Sequence, residues 1–269
     1  MRALVSGPTP ILRLVLLGFA ALAMTAGALL FIGANETERW FSWTIQPPLS
    51  AAALGAFYWA ASVLLFTAAR SPSWVGARPI VYPVLAIALT LLVVTLIHLE
   101  RFDMDSLFGV FWLCAYIVAP LLLVAGIATA RADAGGEPGR PLPGSLRAAL
   151  LAEGLVMLAI AALMLAAPEE AAEIWPWALT PLTSRALGAF VGGVALVALM
   201  VTRADRLVLF AGTAVAYALL GALQLLALAL HGGDLGGDDV ATAVYIAWLA
   251  LIVATGTYGS SAARAFSSS

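Results

Sequence analysis

The chain has 269 residues, of which 63% are hydrophobic and 10% are charged, and its formal net charge is -2. Soluble globular proteins are about half apolar and a quarter charged, so this composition excludes a water-soluble fold and requires lipid as the solvent. The small net charge and the lack of a basic run exclude nucleic acid as a partner. The single cysteine, Cys114, excludes an internal disulfide and a cysteine-based metal cluster.

Eight apolar runs are each about 20 residues long, which is the length that a helix needs to cross the hydrocarbon core of a bilayer. In chain order these runs cover residues 11–32, 49–69, 80–99, 106–129, 146–167, 181–202, 207–230 and 239–258. The sequence therefore predicts an all-α integral membrane protein with eight transmembrane helices, surrounded by the lipid bilayer. Pro120 lies in the middle of the fourth run, where we expect it to kink the helix.

The chain contains an internal repeat with an offset of 133 residues, which becomes 134 in the upstream part of each copy through a one-residue slip. Residues 48–57 and 181–190 are identical at seven of ten positions, and the same offset pairs His98 with His231. Chance similarity between apolar segments would not align histidines, arginines and tryptophans, so the pattern predicts a tandem duplication. The sequence predicts two parallel four-helix repeats, at residues 1–133 and 146–269. A cytoplasmic Gly/Pro-rich linker at residues 134–145 joins them.

The arginines are concentrated on one side of the predicted bundle. That side carries Arg2, Arg13, Arg70, Arg78, Arg131, Arg140, Arg147, Arg203, Arg206 and Arg264, whereas acidic residues predominate on the other. Short cytoplasmic loops are enriched in arginine, which predicts that both termini are cytoplasmic and that the outer side is acidic. The outer segments also hold Trp40, Trp43, Trp175 and Trp177, which predict an aromatic belt at the lipid–water boundary.

Two histidines end the third and seventh predicted helices on the outer side. Because His98 and His231 occupy equivalent positions of the repeat, the pair could ligate a haem iron, or a divalent metal together with nearby carboxylates. Alternatively, each imidazole caps the C-terminus of its helix, where a donor or a cation is favoured. No haem or zinc motif supports the ligand interpretation, so no cofactor is expected from spacing alone.

Glu153 lies about 10 Å into the fifth predicted helix, counted at 1.5 Å per residue. An ionisable side chain at that depth is costly and indicates a function by default, such as proton coupling or substrate binding. The alternatives are an interhelical hydrogen bond, a buried ion pair with an arginine, or a side chain that extends to the membrane surface. The first repeat has Phe19 at this position, so only the second repeat carries the carboxyl group.

Arg185 and Gln224 are two further polar residues of the second repeat, and they replace Ala52 and Leu91 of the first. The arginine is long enough to reach lipid headgroups, and the glutamine is expected to hydrogen-bond across helices. Together with Glu153 they make the second repeat the more polar one inside the membrane. They are candidate substrate or proton residues, with the first repeat as support.

One segment of the second repeat resembles a stretch of other membrane proteins. Residues 175–189, WPWALTPLTSRALGA, are similar to a stretch found in uncharacterised multi-spanning proteins of actinobacteria and similar bacteria. The first repeat departs from this pattern and lacks the arginine. The resemblance implies a bacterial inner-membrane protein and brings no activity with it.

The sequence leaves three classes of function open. It has no Walker loop, dinucleotide fingerprint, His-Glu-x-x-His motif or nucleophile elbow, so a non-catalytic role is expected. One class is an accessory or structural subunit that contacts other membrane proteins. The second is a transporter-like protein for a small or lipophilic molecule, with Glu153 and Gln224 at a shared cavity. The third is a haem- or metal-binding redox subunit that uses His98 and His231.

Overall fold

The computed structural model describes residues 7–130 and 139–267, with side chains described as far as Arg264. Helices make up 83% of the described residues, and no strand occurs among them. Eight of the described helices are long and apolar enough to cross a membrane. The chain is therefore an all-α, multi-pass membrane protein in contact with the bilayer, and the prediction of eight apolar spans is confirmed.

The described helices follow the order long, short, long, long, long in each half of the chain. Three single 3-10 turns lie in the connections, at Ala34–Glu36, Leu99–Arg101 and Gly232–Asp234. The helices are α1 (Pro10–Phe31), α2 (Thr37–Trp40), α3 (Pro48–Arg70), α4 (Trp74–Ile97), α5 (Leu107–Thr129), α6 (Gly144–Ala166), α7 (Pro168–Glu173), α8 (Pro181–Ala204), α9 (Leu207–Leu230) and α10 (Asp239–Ser267).

Some helix bounds differ from those that the sequence predicts. α4 begins six residues early, because the Ser73 hydroxyl accepts a hydrogen bond from the Gly76 N–H and caps the helix. α10 continues about nine residues past the predicted end, to Ser267. Pro120 lies within a continuous α5. The residues Arg2 and Arg131 and residues 134–138 of the linker lie outside the part of the chain that the structure describes.

Two helices form the centre of the bundle. In the most apolar windows of α3 and α8, 72% of the residues are buried, compared with 22% in those of α5 and α10. α3 packs against α1 and α9, whereas α8 packs against α6 and α4, so each central helix contacts helices of both halves. The rings of Phe57 on α3 and Phe190 on α8 stack with their centroids 5.6 Å apart.

Small residues let the central helices approach their neighbours closely. A Cβ at Gly55 of α3 would lie 2.6 Å from the backbone nitrogen of Phe31, and a Cβ at Gly188 of α8 would lie 2.8 Å from the Cβ of Met164. Lipid tails are as apolar as the helices themselves, so association in the bilayer depends on such tight packing rather than on the hydrophobic effect. The α1–α3 and α6–α8 pairs are therefore held by steric fit.

Substitution of Gly55 tests this packing. In Gly55→Ala the added methyl group would meet the backbone nitrogen of Phe31 and the carbonyl oxygen of Gly27, 3.0 Å away. Backbone atoms cannot move aside cheaply, so we expect a destabilisation of about 1–3 kcal/mol, measured as a lower Tm of the detergent-purified protein. Gly18→Ala is the control, because nothing lies within 4 Å of its Cβ. Equal Tm values for the two variants would contradict the close packing.

Candidate functional site

A cavity of about 310 Å³ lies between α6, α7, α8, α9 and α10, and we call it the α6–α10 cavity. Its walls are mostly aliphatic and aromatic, and they include Val156, Ile160, Leu220, Val244 and Ile252. Val156 and Val244 are also exposed on the outside of the bundle, so in a bilayer they contact lipid. The cavity therefore adjoins the hydrocarbon of the membrane, and its volume is in the range of small-molecule sites.

Aromatic side chains form one end of this cavity, close to the acidic ends of the helices. The rings of Trp175, Trp177 and Tyr245 contact one another with centroids 5.3 to 5.4 Å apart. The indole N–H of Trp177 donates a 2.9 Å hydrogen bond to the hydroxyl of Ser50 on α3, which fixes the cluster to the centre of the fold. Trp175 and Tyr245 line the cavity itself.

The Nε1 atom of Trp175 is a buried hydrogen-bond donor without a partner among the described residues. Leaving such a donor unpaired costs about 1–3 kcal/mol, so native proteins rarely do so without a reason. Trp175 lines the α6–α10 cavity, but its Nε1 atom has almost no accessible surface, so the indole must turn before an acceptor on a molecule in the cavity can reach this N–H.

Gln224 places a carboxamide at the cavity wall. Its Nε2 donates a 3.1 Å hydrogen bond to the carbonyl oxygen of Ala53 on α3, and its Oε1 accepts a 3.3 Å hydrogen bond from the Tyr245 hydroxyl. The glutamine therefore bridges three helices, α3, α9 and α10, as well as lining the cavity. The interhelical hydrogen bond that the sequence predicts is present.

Glu153 lies one helical turn beyond the other end of the cavity. Its side chain is fully buried, and its two carboxyl oxygens accept hydrogen bonds from the hydroxyls of Tyr217 on α9, at 2.7 Å, and Thr255 on α10, at 2.6 Å. The cavity-lining residues Leu220 and Ile252 stand three positions from these partners along their helices. The carboxyl group thus lies beyond the end of the cavity that is nearer the arginine-rich ends of the helices, and Glu153 itself does not line the cavity.

A second cavity of about 150 Å³ lies in the first half of the bundle, between α1, α3, α4, α5 and α8. We call it the α1–α5 cavity. Its lining residues Leu22, Ile87 and Trp112 stand 134, 133 and 133 positions before Val156, Leu220 and Tyr245, which line the larger cavity. The offsets equal those of the sequence repeat, so corresponding positions of the two halves surround corresponding spaces.

The two cavities differ in their polar groups. Phe19 lines the α1–α5 cavity at the position that Glu153 has in the second half, so a phenyl ring stands there in place of the carboxyl group. The polar pair of the smaller cavity is formed by the hydroxyls of Tyr58 and Tyr116, which are 2.7 Å apart and hydrogen-bond each other. The Nε1 atom of Trp43 in the first half is also buried without a partner among the described residues, but Trp43 does not line the α1–α5 cavity.

Arg185 and His98 form a contact between the two halves at the acidic ends of the helices. The Nη1 of Arg185 lies 2.7 Å from the Nε2 of His98, and its Nε donates a 3.1 Å hydrogen bond to the carbonyl oxygen of Leu165. A guanidinium has only donors, so the imidazole accepts at Nε2 and is the neutral Nδ1–H tautomer. The structure thus gives this arginine a protein partner in place of lipid headgroups.

The electrostatic surroundings of His98 disfavour its protonation. Partial burial, followed by the charge of the Arg185 guanidinium, lowers the pKa of the imidazole below its ordinary value. Glu100 and Glu169 act in the opposite direction, with smaller effects. A second cation is unfavourable beside Arg185, which weighs against a metal ion at this histidine.

His231 ends α9 as His98 ends α4, and each backbone N–H donates to the carbonyl four residues earlier. The structure pairs His98 with Arg185 rather than with its counterpart in the repeat. Across the described residues, no group of three or more His, Cys, Asp or Glu side chains could hold a metal ion. Ligation of a haem or a metal by the two histidines stays a prediction without a supporting cluster.

The pKa of His98 predicts a loss of stability in acid. The unfolded chain takes up the histidine proton near pH 6.5, whereas the folded chain takes it up at lower pH. The contribution of His98 to the stability of the fold is therefore complete above about pH 6.5 and declines as the pH falls below that value. We expect the fall in Tm between pH 8 and pH 5 to be smaller in His98→Gln than in the wild type. His231→Gln serves as the control. The same pH dependence in all three proteins would contradict the coupling to Arg185.

Glu153 and Gln224 are candidate site residues from the sequence, but their hydrogen-bond partners could not be predicted from it. Tyr217, Thr255 and Tyr245 are ordinary residues in apolar helices, and only the packing of α6, α9 and α10 brings them together. The prediction of a belt at the lipid–water boundary is wrong for Trp43 and Trp177, which are buried, because each packs in an aromatic cluster inside its own half.

Comparison of the sequence with protein-family models and with curated proteins, and of the fold with solved structures, finds no significant match.

Proposed function

We propose that the protein binds a small lipophilic molecule in the α6–α10 cavity and carries it as a transporter-like membrane protein. The observation that supports this most directly is an apolar space of about 310 Å³ lined by Trp175, whose indole N–H is buried and unpaired among the described residues. A purely structural bundle would gain stability by filling that space, because cavities and unpaired donors both destabilise a fold. A bound molecule removes both costs.

The walls define the chemistry of this molecule. The aliphatic and aromatic surface fits an apolar body, and the Trp175 indole would donate one hydrogen bond to an acceptor at the aromatic end once it turns towards the cavity. Because Val156 and Val244 border the cavity and are exposed on the outside of the bundle, such a molecule can reach the site from the hydrocarbon phase. Few polar groups line the walls, so a strongly hydrophilic substrate does not fit.

We also propose that the two halves arose by tandem duplication. Support comes from equivalent contacts: the Asp103 N–H donates to the Ser42 carbonyl in the first half, and the Gly236 N–H donates to the Pro176 carbonyl in the second. The three-ring cluster of Trp175, Trp177 and Tyr245 has a counterpart at the equivalent positions 41, 43 and 112. After duplication, the two halves diverged, so that the polar groups of the site are in the second half.

The proposed orientation places both termini in the cytoplasm of a bacterium, with the protein in the inner membrane. The arginine-rich ends of the helices lie together: Arg13 of α1 donates to the Ser71 carbonyl in the α3–α4 connection, and Arg147 of α6 lies 3.8 Å from Asp205 in the α8–α9 connection. Arginine-rich ends face the cytoplasm. The aromatic end of the α6–α10 cavity is then on the outer side.

A substitution that fills the cavity tests the proposed function. In Ile160→Trp the indole occupies part of the α6–α10 cavity, and we expect the protein to lose a lipophilic molecule that the wild type retains at about one per chain. The measurement is mass spectrometry of an organic extract from protein purified in mild detergent. Ala26→Trp is the matched control, because Ala26 lines the α1–α5 cavity at the equivalent position. Retention of the molecule by Ile160→Trp, or its loss from both variants, would contradict the proposal.

Cysteine labelling tests the orientation. In a Cys114→Ser background, Gly233→Cys lies in the connection between α9 and α10, and Gly139→Cys lies just before α6; both positions are exposed. We expect a membrane-impermeant maleimide to label Gly233→Cys on intact cells with the outer surface accessible, and Gly139→Cys only after permeabilisation. The reverse pattern would place the termini outside.

A further inference from the structure

We propose that the molecule in the α6–α10 cavity is a lipophilic cation, and that the cation and a proton compete for Glu153. This inference rests on the proposed function and names the class of substrate and the coupled ion. Three independent features of the cavity support it: the buried carboxyl group at one end, the carboxylates around the other end, and the aromatic walls between them.

Among the described residues, the groups that contact the Glu153 carboxyl group are the hydroxyl of Tyr217 from α9 and the hydroxyl of Thr255 from α10, and both donate to it. From α8, the side chain of Leu199 and the carbonyl oxygen of Ala195 lie nearest to the Cβ position of the neighbouring Gly154. Hydroxyls solvate a negative charge but do not neutralise it, so a cation at the end of the cavity, one helical turn away, is attracted across a medium of low dielectric constant.

The opposite end of the cavity is surrounded by exposed carboxylates. α7 supplies the lining residue Ala171 and presents Glu169, Glu170 and Glu173 to the solvent. Asp238 and Asp239 are exposed at the start of α10, and residues 167–180 and 231–239 contain no arginine. Carboxylates of one sign around an apolar opening raise the local concentration of cations.

Aromatic rings line the path between the two ends. Trp175, Tyr245 and Trp248 border the cavity, and the faces of tryptophan and tyrosine rings attract cations, most strongly where water is excluded. An apolar cation therefore gains contacts with these rings, whereas an apolar anion would face carboxyl groups towards both ends.

The first half of the protein has Phe19 at the position of Glu153, and Phe19 lines the α1–α5 cavity together with further aromatic side chains. Two of the carboxylates in this half are paired with arginines: Glu36 lies 3.2 Å from Arg39, and Glu100 lies 3.8 Å from Arg101. The two halves share a scaffold but differ in the charge around the space that each encloses, so the α1–α5 cavity provides an internal comparison.

Competition with a proton follows from the position of the carboxyl group. A proton and a cation neutralise the same negative charge, so binding of one weakens binding of the other by the same factor. The affinity for the cation is therefore expected to rise with pH, by up to about tenfold per pH unit while the carboxyl group holds the proton. A carrier with this property would exchange its ligand for a proton across the membrane.

The experiment uses three aromatic probes of similar shape: the cation tetraphenylphosphonium, the anion tetraphenylborate and the neutral triphenylphosphine oxide. Equilibrium binding is measured on the full-length protein in detergent from pH 5 to pH 8. We expect saturable binding of the cation, at least about tenfold tighter than binding of the anion, with an affinity that increases with pH. Glu153→Gln should weaken cation binding about tenfold or more and abolish the pH dependence.

Two further variants keep the test decisive if Glu153→Gln folds poorly. Glu170→Gln with Glu173→Gln changes only exposed side chains and should slow cation association and reduce its salt dependence. Ile160→Trp should prevent binding of all three probes. The outcomes then separate the two proposals.

Equal affinity for the cation and the anion, or an unchanged pH dependence in Glu153→Gln, would overturn the inference about the cation. If Ile160→Trp still removed binding of the neutral probe in that case, the lipophilic site itself would stand. If Ile160→Trp changed the binding of no probe, the proposed function would fail as well.

Discussion

The close packing of α3 and of α8 against their neighbouring helices is the constraint on which the rest of the structure depends. Both helices are rich in glycine and alanine, and each is buried between a helix of its own half and a helix of the other. In lipid, such packing must come from fit between surfaces. Because the centre is filled by these two helices, the cavities lie towards the periphery, where α5 and α10 cover them and lipid is close at hand.

Polarity is distributed unequally around this nearly symmetric centre. The second half holds Glu153, Gln224 and Trp175; the latter two line one cavity, and the buried carboxyl group of Glu153 lies one helical turn beyond it. The first half has Phe19, Leu91 and Phe41 at the corresponding positions. Buried polar groups in a membrane are costly and persist where they serve a function. This asymmetry supports the proposal that the α6–α10 cavity is the binding site.

Much of the fold could be predicted from the sequence. An apolar run of spanning length must satisfy its backbone hydrogen bonds within the membrane, so each of the eight runs is expected to be a transmembrane helix. Glu153 and Gln224 could also be selected, since polar residues are conspicuous in such runs. Their partners could not: Tyr217, Thr255 and Tyr245 are amphipathic residues that apolar helices accommodate in many orientations. The pairing of Arg185 with His98 was equally inaccessible, because the two residues are 87 positions apart and meet only through the packing of α4 against α8.

The stacked pair of Phe57 and Phe190 has a consequence for the history of the protein. These phenylalanines are at equivalent positions of the repeat, and their rings face each other between α3 and α8. A residue that meets its own counterpart lies beside a rotation axis, and for two copies this is the twofold axis of an isologous dimer. The duplication that we propose thus implies an ancestor of half this length that assembled as a homodimer, with one phenylalanine stacked on its copy. Fusion of the two subunits freed each to diverge, which a symmetric dimer of identical chains could never do.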